Sequence, residues 1–175
     1  MELLADDRVA DLVTEGIDVA LRTTVGHSDL VVARALGRFE RRLYAAPEYL
    51  EQHGTPAEPS ELQQHHTVTH TAQGPAVTWA FRNAQGKPLE VTVRSRLAAS
   101  SSALVHHALV SGAGIGMLSS PLAAADAAQG RLVEVLAPFA SGTVHTLYAV
   151  SSPGRRNAAR VCLLYTSPSP RDRQK

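Results

Sequence analysis

Three short stretches carry the side chains best suited to gripping a small polar molecule: Arg22-Thr23-Thr24, His70-Thr71 and Ser100-Ser101-Ser102. The serines stand just before an apolar run with helical spacing. Hydroxyls at a helix start coincide with free amides and partial positive charge, a combination that binds carboxylates. Capping of the helix explains the same serines without any ligand. Arg22 ends a short apolar strand, expected to be parallel, and α/β sheets place ligands at the carboxyl ends of such strands. Its guanidinium suits a two-pronged grip on a carboxylate. An ion pair to Asp18 or Glu15 would use it equally well. His70 follows a strand and opens a polar loop, where a surface histidine and a ligand contact are both open readings.

Other chemistries find little support. Of the eight histidines, His65-His66 and His106-His107 are adjacent pairs, whose side chains point in different directions. No His-Glu-x-x-His occurs, so no metal site is expected. Gly112-x-Gly114-x-Gly116 precedes a strand and lacks the Gly-x-Gly-x-x-Gly spacing of a dinucleotide loop. It reads instead as close packing of a helix against a strand, and no cofactor is expected. Neither a Ser-His-Asp order nor a pair of catalytic carboxylates stands out, so catalysis is not expected.

The elements that must position these residues alternate between strand and helix. Residues 2–5 are apolar enough to end a strand. Asp6 or Asp7 can cap a helix through Val9, Leu12 and Val13, which Gly16 stops. Strands are expected at 17–21 and 30–36, with Gly37 breaking the chain before another at 38–45. Pro47 starts a helix over 47–53, and 60–64 suits one further turn. Strands at 66–70, 77–81 and 88–94 follow, the last two joined by the turn signal Asn83-Ala84-Gln85-Gly86. A helix over 102–111, a strand at 115–118, a helix from Pro121 to about Ala128 and strands at 131–136 and 144–150 complete the order. Such alternation predicts an α/β fold with mostly parallel pairing.

The 175 residues are 44% hydrophobic and 19% charged, ordinary for a globular protein. No apolar run reaches the ~20 residues that span a bilayer, and a cytoplasmic location is expected. The net charge of +1 gives no electrostatic footprint for nucleic acid. Residues Cys162-Leu163-Leu164-Tyr165-Thr166-Ser167-Pro168-Ser169-Pro170-Arg171-Asp172 look like the in-frame translation of a transposon-type sequencing-library adaptor. The alternative is a disordered Ser/Pro-rich tail. Setting aside 162–175 removes Arg171, Arg173, Lys175 and Asp172, so the charge falls from +1 to −1. The single cysteine goes with them.

Several segments share their order and spacing with one known family. They are Asp11-Leu12-Val13, Gly16-Ile17-Asp18-Val19-Ala20-Leu21-Arg22, Val32-Ala33-Arg34-Ala35-Leu36-Gly37 and Ala46-Pro47-Glu48-Tyr49-Leu50 followed by Gly54-Thr55-Pro56. Trp79-Ala80-Phe81, Gly112-Ala113-Gly114-Ile115-Gly116-Met117-Leu118, Gly130-Arg131-Leu132-Val133 and Leu147-Tyr148-Ala149-Val150 continue the series. Together they resemble the effector-binding domain of LysR-type transcriptional regulators, across essentially all of 1–161.

The resemblance implies a two-lobed α/β fold like that of type-2 periplasmic binding proteins, holding a small molecule in the inter-lobe cleft. Residues 1–44 and 140–161 would form the first lobe and 45–139 the second. The first lobe would be incomplete, lacking its start and central strand, so 1–161 alone is expected to be unstable. The family's helix-turn-helix and linker helix would lie outside this chain. By the same resemblance the effector, possibly a carboxylate, would touch Arg22, Thr23, Thr24, His70, Thr71, Ser100, Ser101 and Ser102. The parent protein would be a homodimer or homotetramer, with Val9–Glu15 and Ala103–Val110 as candidate pairing helices. DNA would be bound only through the absent domain. The alternative is a solute-binding protein of a transport system with the same fold.

Overall fold

The structure is a computed structural model describing residues 2, 11–24, 31–70, 74, 76–83, 85–140 and 142–152. Residues 3–5 of the strand expected at 2–5, the part before Asp11 of the expected helix, Thr71 and the whole tail from 153 lie outside the described residues; the rest of that helix is corrected, since residues 12–16 form a turn. No helix among the described residues is long and apolar enough to cross a membrane. The chain divides into two compact units, one built on Glu40–Thr143 together with 1–7, the other on Arg8–Phe39 and the chain from Val144.

The larger unit holds one sheet and its helices. Strand β2 (Val32–Ala45) enters it at Glu40, and α1 (Pro47–His53) follows with proline in its first turn. A 3-10 turn over Pro59–Gln64 precedes β3 (Thr67–His70). Strands β4 (Ala76–Arg82) and β5 (Pro88–Ala99) form a hairpin, then come α2 (Ser102–Val110), β6 (Ile115–Ser119), α3 (Ser120–Ala128) and β7 (Val133–Val135). The strand order is β7-β2-β6-β3-β5-β4. Strict alternation in β4 turns Val77, Trp79 and Phe81 inward, where Val77 and Trp79 pair across with Val93 and Val91.

Consecutive residues of β2 serve two cores. Leu43 and Ala45 join Tyr49, Leu62, Trp79, Phe81 and Ile115 on one side. Tyr44 joins Val68, Val105, Leu109, Leu118 and Leu132 on the other. Burial on both faces is why β3 reads as a nearly unbroken buried run, its Thr67, Val68 and Thr69 at 1%, 1% and 2% exposure.

In the smaller unit β1 (Ala20–Arg22) runs antiparallel to β8 (Val144–Ser151), with Arg22 opposite Tyr148. β8 is in turn hydrogen-bonded to β2. Phe39 and His145 stack with ring centroids 5.6 Å apart, and Leu12, Ala149 and Val150 are buried.

Three further expectations are corrected. Gly37 does not break the chain: β2 is one strand of 14 residues. Gly37 has no left-handed φ and open space around it, so nothing there demands a turn. Strand β1 starts at Ala20 rather than at residue 17, because the Ile17 N–H is taken by Leu12 O at 3.0 Å, closing the preceding turn. Pairing is not mostly parallel. Among the described residues, β1–β8, β2–β6, β2–β7 and β4–β5 pair antiparallel, whereas β3–β5 and β3–β6 pair parallel. Parallel pairing is confined to the centre, where α2 supplies the crossover from β5 to β6.

Candidate functional site

The carboxyl ends of β3 and β5 bring two of the three candidate stretches together. The parallel register sets His70 opposite Ala99, so Ser100-Ser101-Ser102 leave β5 beside His70 and turn directly into α2. Ser101 is the N-cap, with extended backbone at φ −142° and ψ 153°. Its Oγ accepts the Leu104 N–H at 3.3 Å, and its carbonyl accepts the Val105 N–H at 3.1 Å. Capping is therefore present, and the first amides of α2 open onto the same end of the sheet as His70. Ser101 and His70 are half-buried, while Ser100 and Ser102 are exposed.

Hydroxyl bonds hold this end in register. Thr67 Oγ1 donates to Arg94 O at 2.9 Å, Thr69 Oγ1 to Ser95 Oγ at 2.8 Å, and Ser95 Oγ to Leu97 O at 2.7 Å. They straddle a bulge: Thr67 pairs with Ser95 but Val68 with Leu97, leaving Arg96 as the extra residue. A bulge re-aims a side chain, and here Arg96 meets His66.

The third stretch belongs to the smaller unit. Arg22 is half-buried, and Thr23 and Thr24 are exposed at the end of β1. The partner of β1 is antiparallel β8, which corrects the expectation that Arg22 ends a parallel strand. Arg22 also acts on Asp11, whose carboxyl is held below the usual range first by hydrogen bonds from Thr14 and Val13 and last by this guanidinium. Thr71 lies outside the described residues.

Two polar groups were not foreseen. Asp126, 6% exposed in α3, accepts His106 Nε2–H at 2.8 Å and Arg131 Nε–H at 2.6 Å. The bonds from Arg131 and then His106 hold its carboxyl below the usual range. The available signal was its place three residues after Ala123, on the buried stripe. The second group gathers His53, His65, His66 and Arg96 around Tyr49, and no local spacing announces it. No set of three His, Cys, Asp or Glu side chains among the described residues is arranged to hold a metal ion. A small pocket lined by Arg41, Leu43, Phe81, Met117, Glu134 and Leu136 has room for about 20 Å³, one water rather than an organic effector.

Two of the three glycines in the series behave as close packing, whereas Gly112, with φ 76° and open space around it, makes the turn after α2 instead. A Cβ on Gly114 would lie 2.2 Å from His66 O, and one on Gly116 2.7 Å from Val68 O.

Comparison with known proteins places these features in a wider group. The LysR substrate binding domain family model matches residues 1–165. The HTH-type transcriptional regulator CrgA of Neisseria meningitidis serogroup C (strain 8013) is 34% identical over 150 residues, 86% of this chain and 50% of that protein. PtxR of Pseudomonas aeruginosa is 33% identical over 150 residues, 85% and 48% respectively. The chain thus spans about half the length of the curated relatives it matches. The CrgA regulatory domain, solved from Neisseria meningitidis, superposes with a TM-score of 0.79 at 31% identity, covering 89% of this chain and 77% of that one. Full-length AphB, a virulence activator of Vibrio cholerae, gives 0.77 at 27% identity over 94% and 55%. The fold is that of LysR regulatory domains, like the type-2 periplasmic binding proteins.

Proposed function

The chain belongs to the LysR substrate-binding domain family, and from that membership we propose that it is the effector-sensing domain of a LysR-type DNA-binding transcriptional regulator. DNA contact is assigned to a domain outside this chain, and the assembled regulator to a homodimer or homotetramer. The observation that carries the reading is the meeting of His70 with the capped start of α2 at the carboxyl ends of β3 and β5. Amide N–H groups, a serine hydroxyl and an imidazole at one place suit an anionic or polar effector, with a small carboxylate fitting best. Ser100, Ser102 and Thr71 extend that set. Arg22, Thr23 and Thr24 are the candidates on the smaller unit.

A sensor must bind its effector more tightly in one arrangement than in another. Calorimetric titration of the 175-residue chain with a panel of mono- and dicarboxylates tests the reading. Micromolar binding of one member, weakened by His70→Ala, is expected, and Arg22→Ala tests the candidate on the smaller unit by itself. Binding unaffected by either change would relocate the site.

A further inference from the structure

The cluster around Tyr49 requires a neutral His66, and its donors and acceptors show why. The Tyr49 hydroxyl accepts the His66 backbone N–H at 2.9 Å. Its oxygen also lies 3.1 Å from His65 Nδ1, and with a second lone pair and a proton of its own it can accept from that nitrogen or donate to it. Arg96 Nη1 bonds to His66 Nε2. A guanidinium has only donors and keeps its proton, so His66 Nε2 must carry a lone pair. His53 Nδ1 lies 3.0 Å from the Tyr49 carbonyl and must donate, which leaves its Nε2 to take up a proton. The rings sit close: Tyr49 and His53 stack at 4.3 Å between centroids, and His53 lies 5.0 Å from His66.

We propose that Tyr49, His53, His65, His66 and Arg96 form an acid-sensitive clasp that fastens α1 to the start of β3 and to the bulge in β5, closed while the imidazoles are neutral and released as they protonate. A proton on His66 removes the acceptor of Arg96 and sets two cations face to face. A proton on His65 adds a further cation beside His53 and His66.

The charges facing the cluster from each neighbouring element point the same way, with one exception. His53 comes from α1, His65 follows the 3-10 turn, His66 precedes β3 and Arg96 comes from β5. Glu61 on the 3-10 turn is the opposing charge and favours protonation of His65. β6 brings Gly114 and Ile115, neither of which titrates. Burial, then His53, hold His65 below the ordinary imidazole range despite Glu61. Burial, then Arg96, His53 and His65, do the same for His66. This device needs no effector and stands whether or not the carboxylate reading does.

The test is performed on the 175-residue chain. Histidine ring resonances are followed by NMR from pH 8 to 5, together with amide exchange corrected for its intrinsic pH dependence. His65 and His66 should titrate below a free histidine. Protection of the α1 amides should fall several-fold from pH 6.5 to 5.5, within the factor of about ten per pH unit that one linked proton gives between its closed-state and open-state pKa values, while the α2 amides hold. Arg96→Gln should raise the His66 midpoint. His66→Gln, whose amide oxygen can still accept from Arg96, should shrink the pH response of α1. Ordinary titration of both histidines, an α1 unresponsive to pH, or loss of α1 and α2 protection together would overturn the clasp. If His66→Gln does not fold, the wild-type titration and exchange decide alone.

Discussion

Replacing Ser101 separates the two jobs assigned to it. In Ser101→Ala the Leu104 N–H loses its acceptor while the Ser101 carbonyl bond to Val105 remains. Loss of a serine cap costs about 0.5–2 kcal/mol. The bond here is long, 3.3 Å, and half-exposed, so the lower half of that range is expected, near ~1 kcal/mol. Ser101→Asp keeps the cap and adds negative charge at a helix N-terminus, which is favourable by roughly 0.3–1 kcal/mol. Its stability should therefore equal or exceed the parent's.

Ligand binding should order the same variants differently. A carboxylate at position 101 would face a bound carboxylate at about 4 Å, costing ~1 kcal/mol even in a water-like dielectric and ~4 kcal/mol at an effective dielectric near 20. Ser101→Asp should weaken binding of an anionic effector by at least about fivefold, while remaining as stable as the parent. The assays are urea denaturation, read as a midpoint at constant slope, and calorimetric titration of the effector found in the panel. A stable Ser101→Asp variant with unchanged affinity would refute the idea that α2 points its amides at an anion. Capping alone would then account for the serine.

Leu109 is fully buried between α2 and the sheet, and Leu109→Ala should lower stability by about 2–5 kcal/mol; a urea-derived loss under 1 kcal/mol would contradict the packing. Gly114→Ala places a methyl 2.2 Å from the His66 carbonyl oxygen, and overpacking with a forced backbone shift should cost about 1–3 kcal/mol or more, so a variant melting with the parent would be a failure. His65 and His66 have folded pKa values below their unfolded ones. Their contribution is therefore complete above the unfolded value near 6.5 and is lost as pH falls through the folded values. Urea midpoints should drop between pH 7 and 5, and a flat profile there would count against it. Asp126, also lowered, contributes above the ordinary carboxylate range and is lost at more acid pH, so Asp126→Asn should flatten the acid limb below about pH 4.

Local signals were legible and non-local ones were not. Pro47 opening α1, Ser101 capping α2 and Pro121 in the first turn of α3 are all decided within one turn, and each stands where the sequence places it. Gly114 and Gly116 were readable as close packing, each meeting a backbone oxygen, while Gly112 answers a turn. Strand pairing is different in kind. Gly37 has the breaker's tendency, yet β2 gains ladder partners along its length that no window of seven residues contains. The direction of β2 against β6 is likewise invisible locally, since either sense suits the same alternation. His70 and the serines could be named separately, but their meeting depends on the parallel register of β3 and β5. The Tyr49 cluster lies further out of reach: Tyr49 and His65 are 16 positions apart, and His66 and Arg96 are 30. Arg96 faces His66 only because a bulge at residue 96 displaces the alternation.

That bulge also decides how far an acid-driven opening can spread. His66 immediately precedes β3 and His70 ends it, so the question is whether release at one end disturbs the other. Between them lie Thr67, Val68 and Thr69, all buried, with both threonine hydroxyls bonded into β5. The His66 carbonyl is fixed as well, accepting the Ile115 N–H at 2.8 Å under the close approach of Gly114. Moving β3 would leave two buried hydroxyls unbonded, at about 1–3 kcal/mol each. Moving α1 breaks the bonds of the Tyr49 hydroxyl to His65 and to the His66 N–H and exposes part of one core. Protonation therefore acts on the α1 side of the clasp, and the end of β3 that holds His70 beside Ser101 keeps its register. Acid and effector, on this geometry, address the same unit at opposite ends of one short strand.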